Sequence, residues 1–107
     1  MARYGWTWKV KPERVDEYVK MHLNPWPEIM AAHSKAGFRG YSIFQSGNQF
    51  FYTFECEGDP ERAFAEMAED PDCVRWNNIT ITMLEIDAEN GGIAGAVRFL
   101  PEVFHLD

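Results

Sequence analysis

The sequence predicts an α+β fold with the ferredoxin-like order β-α-β-β-α-β. Three observations predict it: a strand-period run near the N-terminus, a hairpin signal around Ser46-Gly47-Asn48, and helical stretches that each open beside a proline. At 107 residues, of which 46% are hydrophobic, the chain is expected to form one domain spanning 1–107 around a single core.

Along the chain, Tyr4, Trp6, Trp8 and Val10 alternate with Gly5, Thr7 and Lys9, the two-residue period of a strand with one aromatic face. Pro12 suits the opening of a helix that has Glu13, Asp16 and Glu17 in its early turns and runs to about Leu23. Pro25 and Pro27 break it, because neither supplies the N–H that a helix interior needs. A helical pattern resumes from Trp26 to Lys35, and Gly37 is placed to end it in a left-handed conformation. "FRGYSIFQSGNQFFYTFECE" reads as two strands around a turn.

Asp59-Pro60 and Asp70-Pro71 are each an N-cap followed by a first-turn proline, so two helices, or one broken helix, are expected there. "DAENGGIAGAV" is glycine-rich, lacks dinucleotide-binding spacing and reads as a flexible connector. The closing "VRFLPEVFHLD" is expected to supply the last strand, interrupted by Pro101, as an edge or as a segment lent to a partner. One open sheet with helices on one side leaves a face uncovered. The aromatic face of the first strand and the apolar tail are therefore expected to meet a second copy of the chain.

The formal charge of −7, with Lys and Arg scattered, argues against nucleic acid and anionic membrane as partners. Cys56 and Cys73 form no C-x-x-C pair and read as reduced core residues. His22, His33 and His105 match no metal-ligand spacing, so no metal is expected. The N-terminus has no apolar leader, and no segment approaches the roughly 20 apolar residues that span a bilayer. A cytoplasmic protein is expected.

Tyr18 and His22, four positions apart, share a helix face next to the Asn24-Pro25-Trp26-Pro27 break. The fold could gather them with Tyr41 and Trp76 around one sheet face, and together they suit a sugar. Aromatic rings pack on pyranose C–H faces, phenols bond hydroxyls, and an imidazole with a pKa near 6.5 exchanges protons at neutral pH. Each residue also has a plain reading: Tyr18 as packing on the sheet, Tyr41 as an inward partner of Ile43, Trp76 as a core anchor, His22 as a satisfied histidine.

On "EYVKMHLNPWPE", "YSIF", "FFYTFE", "DCVRWNN" and "PEVFHLD" the chain resembles the L-rhamnose mutarotase family over nearly its whole length. The resemblance implies a cofactor-free isomerase with a dimeric α+β barrel fold that interconverts the α and β anomers of a deoxyhexose. It implies that His22 is the proton donor and that Tyr18, Tyr41 and Trp76, with Asn77, bind the sugar. Two departures stand out: Asn77 replaces the second of two adjacent family tryptophans, which points to a substrate differing from L-rhamnose, and Leu23 precedes Asn24 in a shortened N-P-W spacing. A cofactor-free or haem-degrading monooxygenase using Trp76, Asn77 and His22, and a non-catalytic sugar-binding domain, are the alternative readings.

Overall fold

The computed structural model describes residues 1–86 and 92–107. Its strands are β1 (Ala2–Val10), β2 (Phe38–Ser46), β3 (Gln49–Cys56) and the two-residue β4 (Leu84–Glu85). They form an antiparallel sheet in the order β2-β3-β1-β4. A 3-10 turn (Pro12–Arg14) leads into α1 (Val15–Leu23), and α2 (Pro27–Ala36), α3 (Pro60–Glu69), α4 (Pro71–Thr80) and the one-turn α5 (Gly92–Gly95) follow.

The proline signals act as expected. Pro27, Pro60 and Pro71 each sit at the start of a helix, where a missing N–H costs nothing. Asp70 has an extended backbone that ends α3, and its carboxylate accepts the Asp72 and Cys73 amides, so α3 and α4 are two helices. Gly37 closes α2 at φ 108°.

The period-two pattern of β1 sets the core. Trp6 and Val10 are buried, and β1 pairs with β3 so that Trp6 lies opposite Tyr52, Tyr4 opposite Phe54 and Trp8 opposite Phe50. Tyr18, Phe38, Ala63, Met83 and Leu84 pack onto this face. Burying one such ring contributes roughly 1.5–3 kcal/mol. A smaller cluster of Ile29, Cys73 and Trp76 lies among α2 and α4, and both cysteines are buried free thiols.

Phe38 and Tyr41 are three positions apart, and on a regular strand they would point to opposite faces. A bulge between Arg39 and Ser42 places one extra residue on β2, with Gly40 at φ 56° within it. Both rings consequently join the same core, 5.9 Å apart.

Three expectations need correction. The aromatic face of β1 does not await a partner: it is covered by the chain's own helices, because it is the more apolar face. The face left bare presents Thr7, Thr53, Phe44 and Phe51, with Phe44 opposite Phe51. The fourth strand is Leu84–Glu85 rather than the tail, whose residues 97–107 form no strand or helix. The tail is nonetheless tied to β1 where short β4 leaves its edge open. The Leu100 amide donates to the Gly5 carbonyl at 2.7 Å, and Phe99 packs on Tyr4. Finally, Gly92–Gly95 of the expected connector forms α5, while its residues 87–91 lie outside the described residues.

Candidate active site

α1 carries Tyr18 and His22 on the face turned to the sheet, as the four-residue spacing requires. Their rings lie 4.3 Å apart. His22 Nδ1 is 2.7 Å from the Tyr18 backbone carbonyl. A carbonyl can only accept, so Nδ1 carries the hydrogen and the neutral ring presents a bare Nε2. Burial lowers the His22 pKa, the carbonyl bond raises it in part, and nearby His33 lowers it further. The ring is therefore neutral at neutral pH, with Nε2 ready to accept a proton.

The Tyr18 hydroxyl reaches the Tyr52 hydroxyl at 2.8 Å, both rings being buried. Burial pushes the Tyr18 phenol up to about 12, the bond to Tyr52 opposing this. Burial also raises the Tyr52 and Tyr41 phenols, with the charge of Tyr18 adding to each. These phenols stay protonated and serve as hydrogen-bond donors. Proton transfer at neutral pH falls to imidazole.

Tyr52 stacks on Trp6 with centroids 4.7 Å apart, and Tyr41 meets Trp6 edge-on at 6.1 Å. His33 of α2 also meets Tyr41, at 5.2 Å. Trp76 of α4 closes the opposite end, 5.4 Å from His22, and Trp26, between the two prolines, packs edge-on against Trp76 at 5.1 Å. Asn77 is half-buried. One residue on from Trp76, its side chain leaves α4 rotated by about 100° from the indole. A surface depression of about 540 Å³, lined by Trp26, Glu28, Arg75, Asn78 and Ile79, lies beyond this aromatic pair.

Of the residues singled out from sequence, Tyr18, His22 and Trp76 are in direct ring contact, and Tyr41 joins them through Trp6 and Tyr52. Asn77 stands apart from that chain of contacts. His105 lies in the tail, its Nε2 2.7 Å from an Asp107 carboxylate oxygen. Sequence reasoning overlooked Tyr52 as a site residue and weighed His33 only as a metal ligand. The signal for Tyr52 was present: Phe50, Tyr52, Phe54 and Cys56 alternate onto the inner face, and only Tyr52 brings a hydroxyl there.

Relatives agree with this architecture. Residues 3–106 match the family described as L-rhamnose mutarotase. The chain is 33% identical to an L-rhamnose mutarotase of Oceanobacillus iheyensis over 109 residues and 32% identical to one of Lactiplantibacillus plantarum over 110, covering 100% of both chains in each case. Among solved structures, an L-rhamnose mutarotase from Formosa agariphila superposes with a TM-score of 0.78 at 21% identity, covering 100% of both chains. The tetracenomycin F2 cyclase of Streptomyces glaucescens, a type-II polyketide cyclase, superposes at 0.70 with 10% identity, over 100% of this chain and 98% of its own. The last two likenesses speak for the fold, whereas the whole-length sequence match places this chain in the L-rhamnose mutarotase family.

Proposed function

We propose that the chain, acting as one catalytic domain over residues 1–107, interconverts the α and β anomers of L-rhamnose or a closely related deoxyhexose. The observation that carries this is His22: a buried, neutral imidazole whose Nδ1–H is tied to the Tyr18 carbonyl, leaving Nε2 free among rings suited to a pyranose face.

In this mechanism Nε2 takes the proton from the anomeric hydroxyl. The C1–O1 bond gains double-bond character as the C1–O5 bond breaks, and the imidazolium delivers the same proton to O5. The open aldehyde turns about C1–C2, and the steps run in reverse to close the ring on the other face. One proton moves from O1 to O5 and back, so nothing is consumed. His22 is thus a donor, as the resemblance implies, after first acting as the base. Tyr18, Tyr41 and Trp76 hold the sugar, and Asn77 adds an amide at the margin. No cofactor takes part.

The assembly proposed is a homodimer. Phe44 and Phe51 are 62% and 39% exposed on the bare sheet face, and Val103, Phe104 and Leu106 of the tail are 92%, 78% and 79% exposed. A second copy would cover both apolar surfaces. The two buried thiols, with Cys73 pushed up to about 11 chiefly by burial, suit a reducing compartment, so we place the protein in the cytoplasm.

Saturation-transfer NMR tests the activity. Added protein should speed exchange between the anomeric signals of L-rhamnose, L-fucose, L-lyxose or D-mannose. No acceleration over buffer with any of them would remove the proposal, and sugar affinity without exchange would indicate a binding domain instead.

A further inference from the structure

The Tyr18 and Tyr52 hydroxyls lie 2.8 Å apart, and among the described residues each is the other's hydrogen-bond partner. The mechanism above gives Tyr18 a part and Tyr52 none. Two hydroxyls joined by one bond use one of their two protons and leave the other over. What surrounds each ring decides which proton that is. Tyr52 is walled by indoles: Trp6 stacks on it with centroids 4.7 Å and planes 10° apart, Trp8 meets it edge-on at 5.2 Å, and the residue is 2% exposed. An indole N–H only donates, so a Tyr52 proton turned away from Tyr18 would be an orphaned buried donor. Tyr18 stands on α1 with its ring 4.3 Å from that of His22, beside the group that acts on the sugar.

We propose that Tyr52 is a positioning residue for the sugar site: its hydroxyl donates to the Tyr18 oxygen and thereby leaves the Tyr18 O–H free to donate to an oxygen of the sugar. This rests on the sugar-anomer reading above and deepens it. Tyr52 does not touch the sugar and acts through Tyr18 alone. Trp6, stacked on the phenol, holds its plane. A hydroxyl that accepts one hydrogen bond is polarised into a stronger donor of the next, so the chain from Tyr52 through Tyr18 to the sugar holds the substrate better than Tyr18 would unaided.

The test measures anomer exchange of L-rhamnose by wild type, Tyr52→Phe, Tyr18→Phe and the double variant. Tyr52→Phe should raise KM about 2- to 10-fold and keep kcat. Tyr18→Phe should raise KM at least as much, and the double variant should match Tyr18→Phe, because Tyr52 has no other route to the sugar. A merely structural Tyr52 would lower kcat through the folded fraction and leave KM where it was. That result would overturn the proposal, and so would KM effects that multiply in the double variant. A second measurement needs no substitution: with tyrosine labelled by ¹³C at Cζ, saturation with L-rhamnose should move the Tyr18 and Tyr52 signals together, since polarising one link polarises the next. A Tyr52 signal that stays still would overturn the proposal as well. If the wild-type chain neither binds nor exchanges L-rhamnose or the other sugars, the anomer reading falls first and this proposal with it; if wild type exchanges them and Tyr52→Phe does so with unchanged KM, only this proposal falls.

Discussion

His22 Nδ1 and the Tyr18 carbonyl oxygen, one helical turn apart, are 2.7 Å from each other. That contact fixes the tautomer and decides which nitrogen is free for chemistry. His22→Asn retains a donor for the carbonyl and loses Nε2, while His22→Ala loses both. Each variant should lower the exchange rate by roughly 10²- to 10⁴-fold with little change in sugar affinity, since the imidazole acts on charge that develops as the ring opens. Unchanged exchange in folded His22→Asn protein would take the histidine out of the mechanism.

The pH dependence follows from burial. Burial first, against the Tyr18 carbonyl bond, and then His33 hold the His22 pKa below its ordinary 6.5, and burial does the same for His33. The neutral ring starts the cycle, so kcat/KM should be level from about pH 7 upward and decline only in acid. A maximum below 6.5 with a fall toward neutrality would mean that the cycle begins from imidazolium.

Stability moves in the same direction. Below pH 6.5 the unfolded chain binds protons at these two positions more readily than the folded chain does, so their contribution is fully present above 6.5 and is lost as pH falls toward the depressed folded values. Urea midpoints at pH 7 and pH 5 should differ, and the difference should shrink in His22→Asn. An equal pH dependence in the variant would take His22 out of the effect and leave it to His33 or the carboxylates.

Tyr18 and Tyr52 satisfy one another in the core. Tyr52→Phe leaves the Tyr18 hydroxyl buried without that partner and should cost about 1–3 kcal/mol. The double change Tyr18→Phe with Tyr52→Phe should cost less than the sum of the single changes. Denaturant titration of the four proteins measures the coupling, and strict additivity would show that the bond contributes nothing.

Two glycines hold the strand that bears Tyr41. A Cβ at Gly40 would meet nothing within 4 Å, so Gly40→Ala costs only the strain of φ 56°, about 1–2 kcal/mol. Gly37→Ala should cost more, because its Cβ would sit 3.1 Å from the Glu57 carbonyl at φ 108°. The reverse ranking in thermal melts would contradict this account.

For assembly, Phe44→Glu places a charge on the bare sheet face. Light scattering at micromolar concentration should show a dimer for the parent chain and a monomer for the variant. Removing the residues after Pro101 should weaken association and solubility together. A monomeric parent would end the dimer proposal.

Much of this molecule is legible in order along the chain, because the signals are local. Asp-Pro pairs start helices through caps and fixed φ angles, Gly37 ends one, and alternation marks β1 and β3. The four-residue step from Tyr18 to His22 places them on one helix face whatever surrounds the helix. Local chemistry was a poor guide to the C-terminus. The tail is as apolar as a strand, yet Leu84–Glu85, one 3-10 turn (Ile81–Met83) after α4, takes the place beside β1.

What the sequence by itself determined is the order of elements through the first three strands, the helix starts at Pro27, Pro60 and Pro71 and the Tyr18–His22 pairing, since each depends on residues within a turn or two of one another. Only the tertiary structure decided which sheet face is covered, that the bulge at Gly40 turns Tyr41 inward with Phe38, and that Trp6, with Tyr52 stacked on it, and His33 meet Tyr41. Those relationships join β1, β2, β3 and α2 across long stretches of chain. They exist because the more apolar face of the sheet must be buried under the helices, and any polar group carried in with it must find a partner there.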